Sequence, residues 1–290
     1  MSVLNTTAPT PSRLAGVVRY LLTASLEGEN RTRLIALMSP PSLLDSSEPE
    51  MIKQTLTEAA KLGLVTLVEG RYVLTPSVRA AFPNGHFTTD GLRAVLRQLI
   101  FSPENAENHD LAKLLAWFMA QEPSVIVGTE NGLDKALREQ TGDNRMGLMS
   151  GVRYGNFGFW AVYLGFAWKH SSPGVGKALV PDPSTTISTL LPTLFSGVND
   201  DALPIIPFCD RLADLCPVLP GGSFGRDEPW EQPAVFDETL APTVANAFLS
   251  LQERAEVELL HLADAGGVVF REGRSTNRIT HVRYTGGSVL

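Results

Sequence analysis

Lys177 follows Ser171, Gly174 and Gly176 in a spacing close to a phosphate-binding loop. In such loops a glycine-rich backbone cradles phosphates, the lysine reaches them and a hydroxyl holds magnesium. Here Ser171 stands where the first glycine is needed and Ala178 where the hydroxyl is needed. The stretch therefore reads as an ordinary glycine-rich turn. His86, His109, His170, His261 and His281 fall in none of the short spacings that build zinc or hydrolase sites. Cys209 and Cys216 are the only cysteines. Seven apart, they share a helix face with Leu212 and Leu215 and read as buried structural thiols. With no CxxC pair, neither a zinc site nor a disulfide framework is expected. No nucleophile stands beside a base, so the expectation is a protein that is not an enzyme, with no catalytic residue, no metal and no cofactor.

Chemistry of another kind is offered by Lys53, Gln54, Thr57 and Lys61, at i, i+1, i+4 and i+8. On a helix these lie off the apolar line Ile52, Leu56, Ala59 and would face outward. Lysine can hold phosphate or guanine, and glutamine can pair with adenine. Glu50 and Glu58 on the same helix oppose a phosphate backbone, so a face that docks protein stands as an equal alternative. Arg71, after the Glu69-Gly70 turn, and Arg271, Arg274 and Arg278 around Gly273 are further candidates for DNA contact, since arginines on a hairpin can track a backbone.

Charge agrees with that placement. The chain carries a formal net charge of −7. Residues 1–80 are net +1 and residues 266–290 net +3, whereas residues 81–265 are net −11. DNA, if bound, is expected at the ends and proteins along the acidic middle.

The elements that must position these residues follow from periodicity. Residues 1–11 are Thr-, Pro- and Ala-rich and are expected to be disordered. Pro11-Ser12 opens a helix whose face is Leu14, Val17, Val18, Leu21 and Leu22. Asn30 caps a second helix holding Leu34, Ile35 and Met38, which Pro40-Pro41 must stop. Ser47, Glu48 and Pro49 start a third, carrying Ile52, Leu56 and Ala59 and closed by Gly63. Leu64 to Val68 and Arg71 to Leu74 form a ribbon. Three helices and a ribbon over residues 12–85 are the order of a winged helix-turn-helix.

Residues 86–200 read as a helical middle domain, with faces Leu92/Val95/Leu96/Leu99/Ile100 and Leu111/Leu114/Leu115/Phe118. In it the aromatic run Tyr154–Trp168 is expected as one buried helix. Asp182, between two prolines, is expected to cap a helix holding Ile187, Leu190, Leu191 and Leu194. Residues 201–290 read as a second winged-helix-like domain. Ser250 and Glu253 fit a capping box opening a helix through Leu259 and Leu262 to Gly266. Gly266 then precedes Glu272-Gly273 by the same interval that separates Gly63 from Glu69-Gly70. The fold class expected is thus mainly α with small β-wings, and winged helix-turn-helix modules at both ends.

Trp160 to Phe166, Pro181-Asp182-Pro183-Ser184, Leu191-Pro192 and the run from Cys216 to Gly222 together resemble the DpdG family. The resemblance spans nearly the whole chain. It implies a component of bacterial islands that insert 7-deazaguanine derivatives into DNA and restrict unmodified DNA, and supplies no catalytic residues. The reading is a non-catalytic DNA-binding or adaptor subunit of an anti-phage defence system, with DNA and other defence-system proteins as partners. The alternative is a sequence-specific transcription regulator. No signal peptide or bilayer-length apolar run is present, so a cytoplasmic protein is expected, with no membrane partner and a homodimer possible.

Overall fold

The structure is a computed structural model describing residues 2–24, 26–39, 50–123, 128–142, 151–172, 176–198, 202–226, 228, 230, 239–272 and 275–286. Two compact units share the chain: Met1–His109 with Val152–Leu164, and Asp110–Gly151 with Gly165–Leu290. The helical residues 86–200 are thus divided between both.

In the first unit, α1 (Pro11–Thr23) leads into β1 (Glu29–Asn30), α2 (Arg31–Met38), α3 (Glu50–Lys61), β2 (Val65–Val68) and β3 (Arg71–Leu74). The expected helix faces are the buried ones: Leu14, Val17, Val18, Leu21 and Leu22 of α1, Ile52, Leu56 and Ala59 of α3. Asn30 caps α2 by accepting the Thr32 N–H at 2.8 Å. The stop at Pro40-Pro41 and the start at Ser47–Pro49 lie outside the described residues. β1, too short to show in the sequence, adds a third antiparallel strand, giving the sheet order β1-β3-β2. Helices α4 (Pro76–Ala80) and α5 (Thr89–Ile100) follow.

The N-terminal residues differ from expectation. Val3, Leu4 and Ala8 are buried. The Val3 N–H donates to Asn108 Oδ1 at 3.0 Å. Asn156 Nδ2 donates to the Leu4 and Thr6 carbonyls at 3.0 and 2.8 Å. Side-chain amides distant in sequence thus satisfy this backbone, which local composition does not reveal.

After α6 (His109–Met119) and α7 (Glu130–Thr141) of the second unit comes α8 (Gly151–Leu164), which belongs to the first from Val152 onward. The expected helix over Tyr154–Trp168 ends early: Gly165 adopts φ 87° and the chain turns into a strand. Nor is it buried all round, since Phe157, Trp160, Ala161 and Leu164 are buried while Phe159 is half exposed. The second unit continues with a hairpin of β4 (Ala167–Ser172) and β5 (Gly176–Pro181). Next come α9 (Ser184–Leu194), β6 (Ala202–Pro204), α10 (Ile205–Leu215), α11 (Pro242–Glu253), β7 (Val257–Leu260), β8 (Val268–Glu272), β9 (Ser275–Ile279) and β10 (His281–Tyr284). Asp182 holds the start of α9, its Oδ1 accepting the Ser184 N–H at 2.8 Å.

The C-terminal elements are placed differently from the sequence reading. Ser250 and Glu253 lie in the last turn of α11, not the first turn of a later helix, and Leu259 is in a strand. α11 is stopped by Ala255, whose φ is +55°. There the Ala255 N–H donates to the Gln252 carbonyl and the Glu256 N–H to the Leu251 carbonyl, both at 2.9 Å. This left-handed cap closes a helix as glycine usually does. Gly266 ends no helix.

Correctly aligned, two modules of one topology emerge. The series α1, β1, α2, α3, β2, β3 with sheet order β1-β3-β2 is matched by α9, β6, α10, α11, β7, β10 with order β6-β10-β7. An offset of 192 residues carries Glu50 onto Pro242 and Lys61 onto Glu253, helix on helix, and β2 onto β7. The caps agree bond for bond. The Gly63 N–H donates to the Ala60 carbonyl and the Leu64 N–H to the Ala59 carbonyl. Thr75 Oγ1 donates to the Gly63 carbonyl, and Thr285 Oγ1 to that of Ala255. The Thr75 and Thr285 N–H groups bond to the Leu64 and Glu256 carbonyls. Between these threonines the offset has grown to 210, because residues 261–280, with the hairpin β8–β9, stand where the first module has only Glu69-Gly70.

Candidate nucleic-acid interface

α3 brings four of the expected residues onto one open face. Gln54, Thr57 and Lys61 are exposed and Lys53 is half-buried. Lys53 Nζ lies 3.0 Å from Glu50 Oε1, and Lys61 Nζ lies 2.9 Å from Glu58 Oε1. Both pairs are i,i+3 neighbours and present a mixed surface rather than a bare cationic one. Thr57 Oγ1 donates to the Lys53 carbonyl of its own helix at 3.0 Å.

Arg71 stands apart from that face. It occupies the first rung of β3, between Val68 and Asn30. Its charge bears on Glu29, a buried carboxylate on the neighbouring strand. Tyr20 donates to Glu29 Oε2 at 2.5 Å, and the Asn30 N–H donates to Oε1 at 2.8 Å. Tyr20's hydrogen bond first, then the Asn30 N–H and the charges of Arg33 and Arg71, hold the Glu29 carboxyl below its usual range, against the opposing effect of burial. The rest of the β2–β3 ribbon carries no other cation, with Leu67 and Val68 half exposed, Thr66 exposed and Glu69 at the turn. Arg31 and Arg33 at the start of α2 are exposed cations that the helical-face argument passed over. The signal available was their position on either side of Thr32, directly after the Asn30 cap.

The C-terminal arginines belong to the inserted hairpin. Arg271 pairs with Thr276 and Arg278 with Val269, two rungs of one ladder. The Val268–Ile279 rung at its base is buried. Arg278 is exposed, and its Nη2 donates to the Ala265 carbonyl at 3.3 Å. Arg274 and the side chain of Arg271 lie outside the described residues.

The third helix of the second module is a different object. Its counterparts of Lys53, Thr57 and Lys61 are Ala245, Leu249 and Glu253. Val244, Ala245, Ala247, Phe248 and Leu251 are buried, and Thr243 Oγ1 donates to the Met119 carbonyl of α6 at 2.6 Å. The last residue of α6 therefore meets the first turn of α11, the turn that corresponds to the exposed start of α3.

The degenerate phosphate-loop pattern is divided across a β-hairpin. Lys177 lies in β5, opposite Ser171 of β4, and the next helix starts only at Ser184. A strand–loop–helix cradle with lysine at the helix start is not the local geometry. Gly174 lies outside the described residues. Among the described residues no group of three or more His, Cys, Asp or Glu side chains could hold a metal. Cys209 and Cys216 are buried and form no disulfide, and burial, then Asp210, pushes the Cys209 thiol up to about 12. No helix among the described residues is long and apolar enough to cross a membrane.

Comparison with curated proteins and with solved structures returned no match. A family model, described as DpdG-like, matches residues 1–265. That span covers both modules up to the inserted hairpin, so the chain belongs to the DpdG-like family, a component of 7-deazaguanine DNA-modification defence systems.

Proposed function

We propose that the chain is a non-catalytic DNA-binding adaptor of such a defence system, and that its two repeated modules are winged helix-turn-helix folds. The first holds duplex DNA through α3. The observation that carries this reading is the contrast between two equivalent helices. α3 keeps Lys53, Gln54, Thr57 and Lys61 at the surface, whereas α11 has Ala245, Asn246, Leu249 and Glu253 at the matching positions, none of them a cation and Ala245 buried.

Third helices of this fold enter the major groove, where glutamine can pair with adenine and lysine with guanine or phosphate. The Glu50 and Glu58 partners do not forbid this. The Lys53–Glu50 pair is exposed and worth about 0–1 kcal/mol, so a phosphate can take Lys53 at small cost. Glu58 is buried, so Lys61 is the more firmly held of the two. The inserted hairpin, with Arg271, Arg274 and Arg278, adds contacts to the backbone. The acidic middle of the chain serves other proteins of the system.

Changing Lys53, Gln54 and Lys61 together to Ala tests the reading. All three lie off the apolar face, but Lys61 pairs with buried Glu58, so thermal melting must first show that the variant stays folded. Duplex affinity of the full chain should fall, and the slope of log K against log salt should flatten by about two, near 0.9 for each lysine lost from a phosphate. Half-exposed Met51, Leu67 and Val68 on the same module favour one second reading, docking of a protein. Unchanged DNA affinity with loss of a co-purifying protein would establish that instead.

A further inference from the structure

α8 carries no charged side chain after Arg153, yet only one side of it is buried. Asn156, Phe157, Gly158, Trp160, Ala161 and Leu164 face inward. At about 100° per residue, the opposite direction is taken by Val152, Gly155, Phe159 and Val162. Val152 and Phe159 are 47% and 49% exposed, and Gly155 and Val162 are half-buried. A helix that is apolar all round belongs inside a protein. This one lies with its outer side at the surface of its own chain. No charged residue occurs from Tyr154 to Trp168, in a chain of which 19% is charged.

The four outward positions fall at i, i+3, i+7 and i+10, the a and d positions of two successive heptads. They are also placed symmetrically about Phe157. When two such helices pair antiparallel about a twofold axis at that level, each a position faces a d position of the other copy. Val152 then meets Val162, and Phe159 meets Gly155. The sizes fit, because a Cβ built at Gly155 would meet nothing within 4 Å. Gly155 is thus a notch in the outer surface, and Phe159 is the ring that can fill it. A parallel pair would set ring against ring and leave notch facing notch.

From these observations we infer that the outer seam of α8 is a self-association surface, on which a second copy of this chain docks antiparallel with each Phe159 seated over the other copy's Gly155. A contact of this symmetry is self-complementary, so a side chain near the axis faces its own counterpart. A charge there would meet the same charge, and the seam carries none. An unrelated partner would impose no such neutrality and no such matching of notch to ring. The seam is short, so the contact falls below about 1,200 Å² and the dimer should be weak, with a Kd on the order of micromolar. It uses neither α3 nor the inserted C-terminal hairpin, and so it stands or falls apart from the duplex reading.

The experiment is sedimentation of the full chain without DNA, from about 1 to 100 µM, the range in which a contact this small should dissociate. The unmodified chain should pass from monomer to dimer. Phe159→Glu should leave only monomer, because two carboxylates would be buried beside the axis. Gly155→Leu is the sharper variant. Its side chain has open space in the single chain, and leucine favours a helix over glycine, so melting should stay level or rise. The filled notch should nevertheless raise the dimer Kd about 5- to 150-fold. Under mild oxidation, Gly155→Cys chains mixed with Phe159→Cys chains should cross-link, while Gly155→Cys chains alone should not. If Phe159→Glu fails to fold, Gly155→Leu decides. A chain monomeric throughout, or a dimer indifferent to Gly155→Leu, would overturn the proposal. Cross-linking of Gly155→Cys chains alone would overturn the antiparallel pairing. A monomeric chain whose Phe159→Glu variant loses a different protein would overturn it in favour of that partner.

Discussion

α3 and α11 are both twelve residues long, sit at the same place in the same topology and end in the same pair of hydrogen bonds. Yet one presents a polar, partly cationic face, whereas the other has no cation and buries Thr243 and Ala245, the counterparts of exposed Met51 and half-buried Lys53. The second module has instead grown between its last two strands, β7 and β10, where twenty residues replace a two-residue turn. The difference teaches that a repeated topology conserves a way of closing a small sheet on three helices, while the surface that meets a partner can move. In the first module the cations lie on the third helix; in the second they lie on the inserted hairpin.

The sharpest way to break this comparison is to exchange the two surfaces. Ala245→Lys, which copies Lys53 onto its counterpart, places an ammonium at a position 2% exposed. It should cost at least about 3 kcal/mol or prevent folding, because a buried charge without a partner is strongly disfavoured. Lys53→Ala should stay within about 0.5 kcal/mol. Denaturant unfolding of both variants measures this, and a stable Ala245→Lys chain that gains duplex affinity would show the helices to be interchangeable.

Next in size is the wing. Arg274→Ala with Arg278→Ala should flatten the salt slope for duplex binding by about two, across unrelated sequences. Melting should hardly move, since surface changes usually cost little. An unchanged slope in the folded double variant would remove the insertion from the DNA interface and leave the second module without a nucleic-acid role at its wing.

Glu29 gives a smaller effect confined to the first module. Its carboxyl titrates below the usual range, so the stability it confers is present above the unfolded-state value near 4.5 and is lost as pH falls through the lower folded-state value. Glu29→Gln should therefore destabilise by about 1–2 kcal/mol at pH 7. The gap from the unmodified chain should narrow as pH drops below 4. A gap that stays constant with pH would mean that the carboxylate charge is not what ties β1 to α1.

The caps offer the finest comparison. Gly63 at φ 80° and Ala255 at φ 55° occupy equivalent left-handed positions. Gly63→Ala should cost about 1 kcal/mol and Ala255→Gly should gain slightly less, both read from unfolding curves. Opposite signs would dissolve the equivalence of the two caps.

Much of the first module was legible because its signals are local. The faces of α1 and α3 repeat at helical spacing, and Gly63 and Glu69-Gly70 punctuate helix and ribbon. The second module was misaligned for an equally local reason: its helix stop is Ala255, which no glycine rule detects. Gly266 then supplied a false match to Gly63, and Ser250 with Glu253 a false helix start. The N-terminal residues escaped because the side chains that hold them, Asn108 and Asn156, are more than a hundred residues away. Of the candidate site, the α3 face followed from spacing alone. The exposed side of α8 did not, since an aromatic run continuing past the turn at Gly165 reads as a helix buried all round.

The insertion between β7 and β10 also sets a timetable for folding. Closing a loop of twenty residues instead of two costs about 2 kcal/mol more chain entropy. Local hairpins form in microseconds, so β8 and β9 can zip first and leave only residues 261–267 and Thr280 to be spanned. Thr280 then fastens the junction. Its N–H donates to the Leu260 carbonyl at 2.8 Å, its Oγ1 accepts the Leu262 N–H at 2.9 Å, and its carbonyl accepts the Ile205 N–H at 2.8 Å. Because β10 is the central strand, β6 and β7 have no partner until residues 281–284 have left the ribosome. The first module can close its sheet after residue 74, two hundred residues earlier in synthesis. During that interval the apolar faces of α10 and α11 lack their finished sheet, which makes the second module the part of the nascent chain most in need of a chaperone.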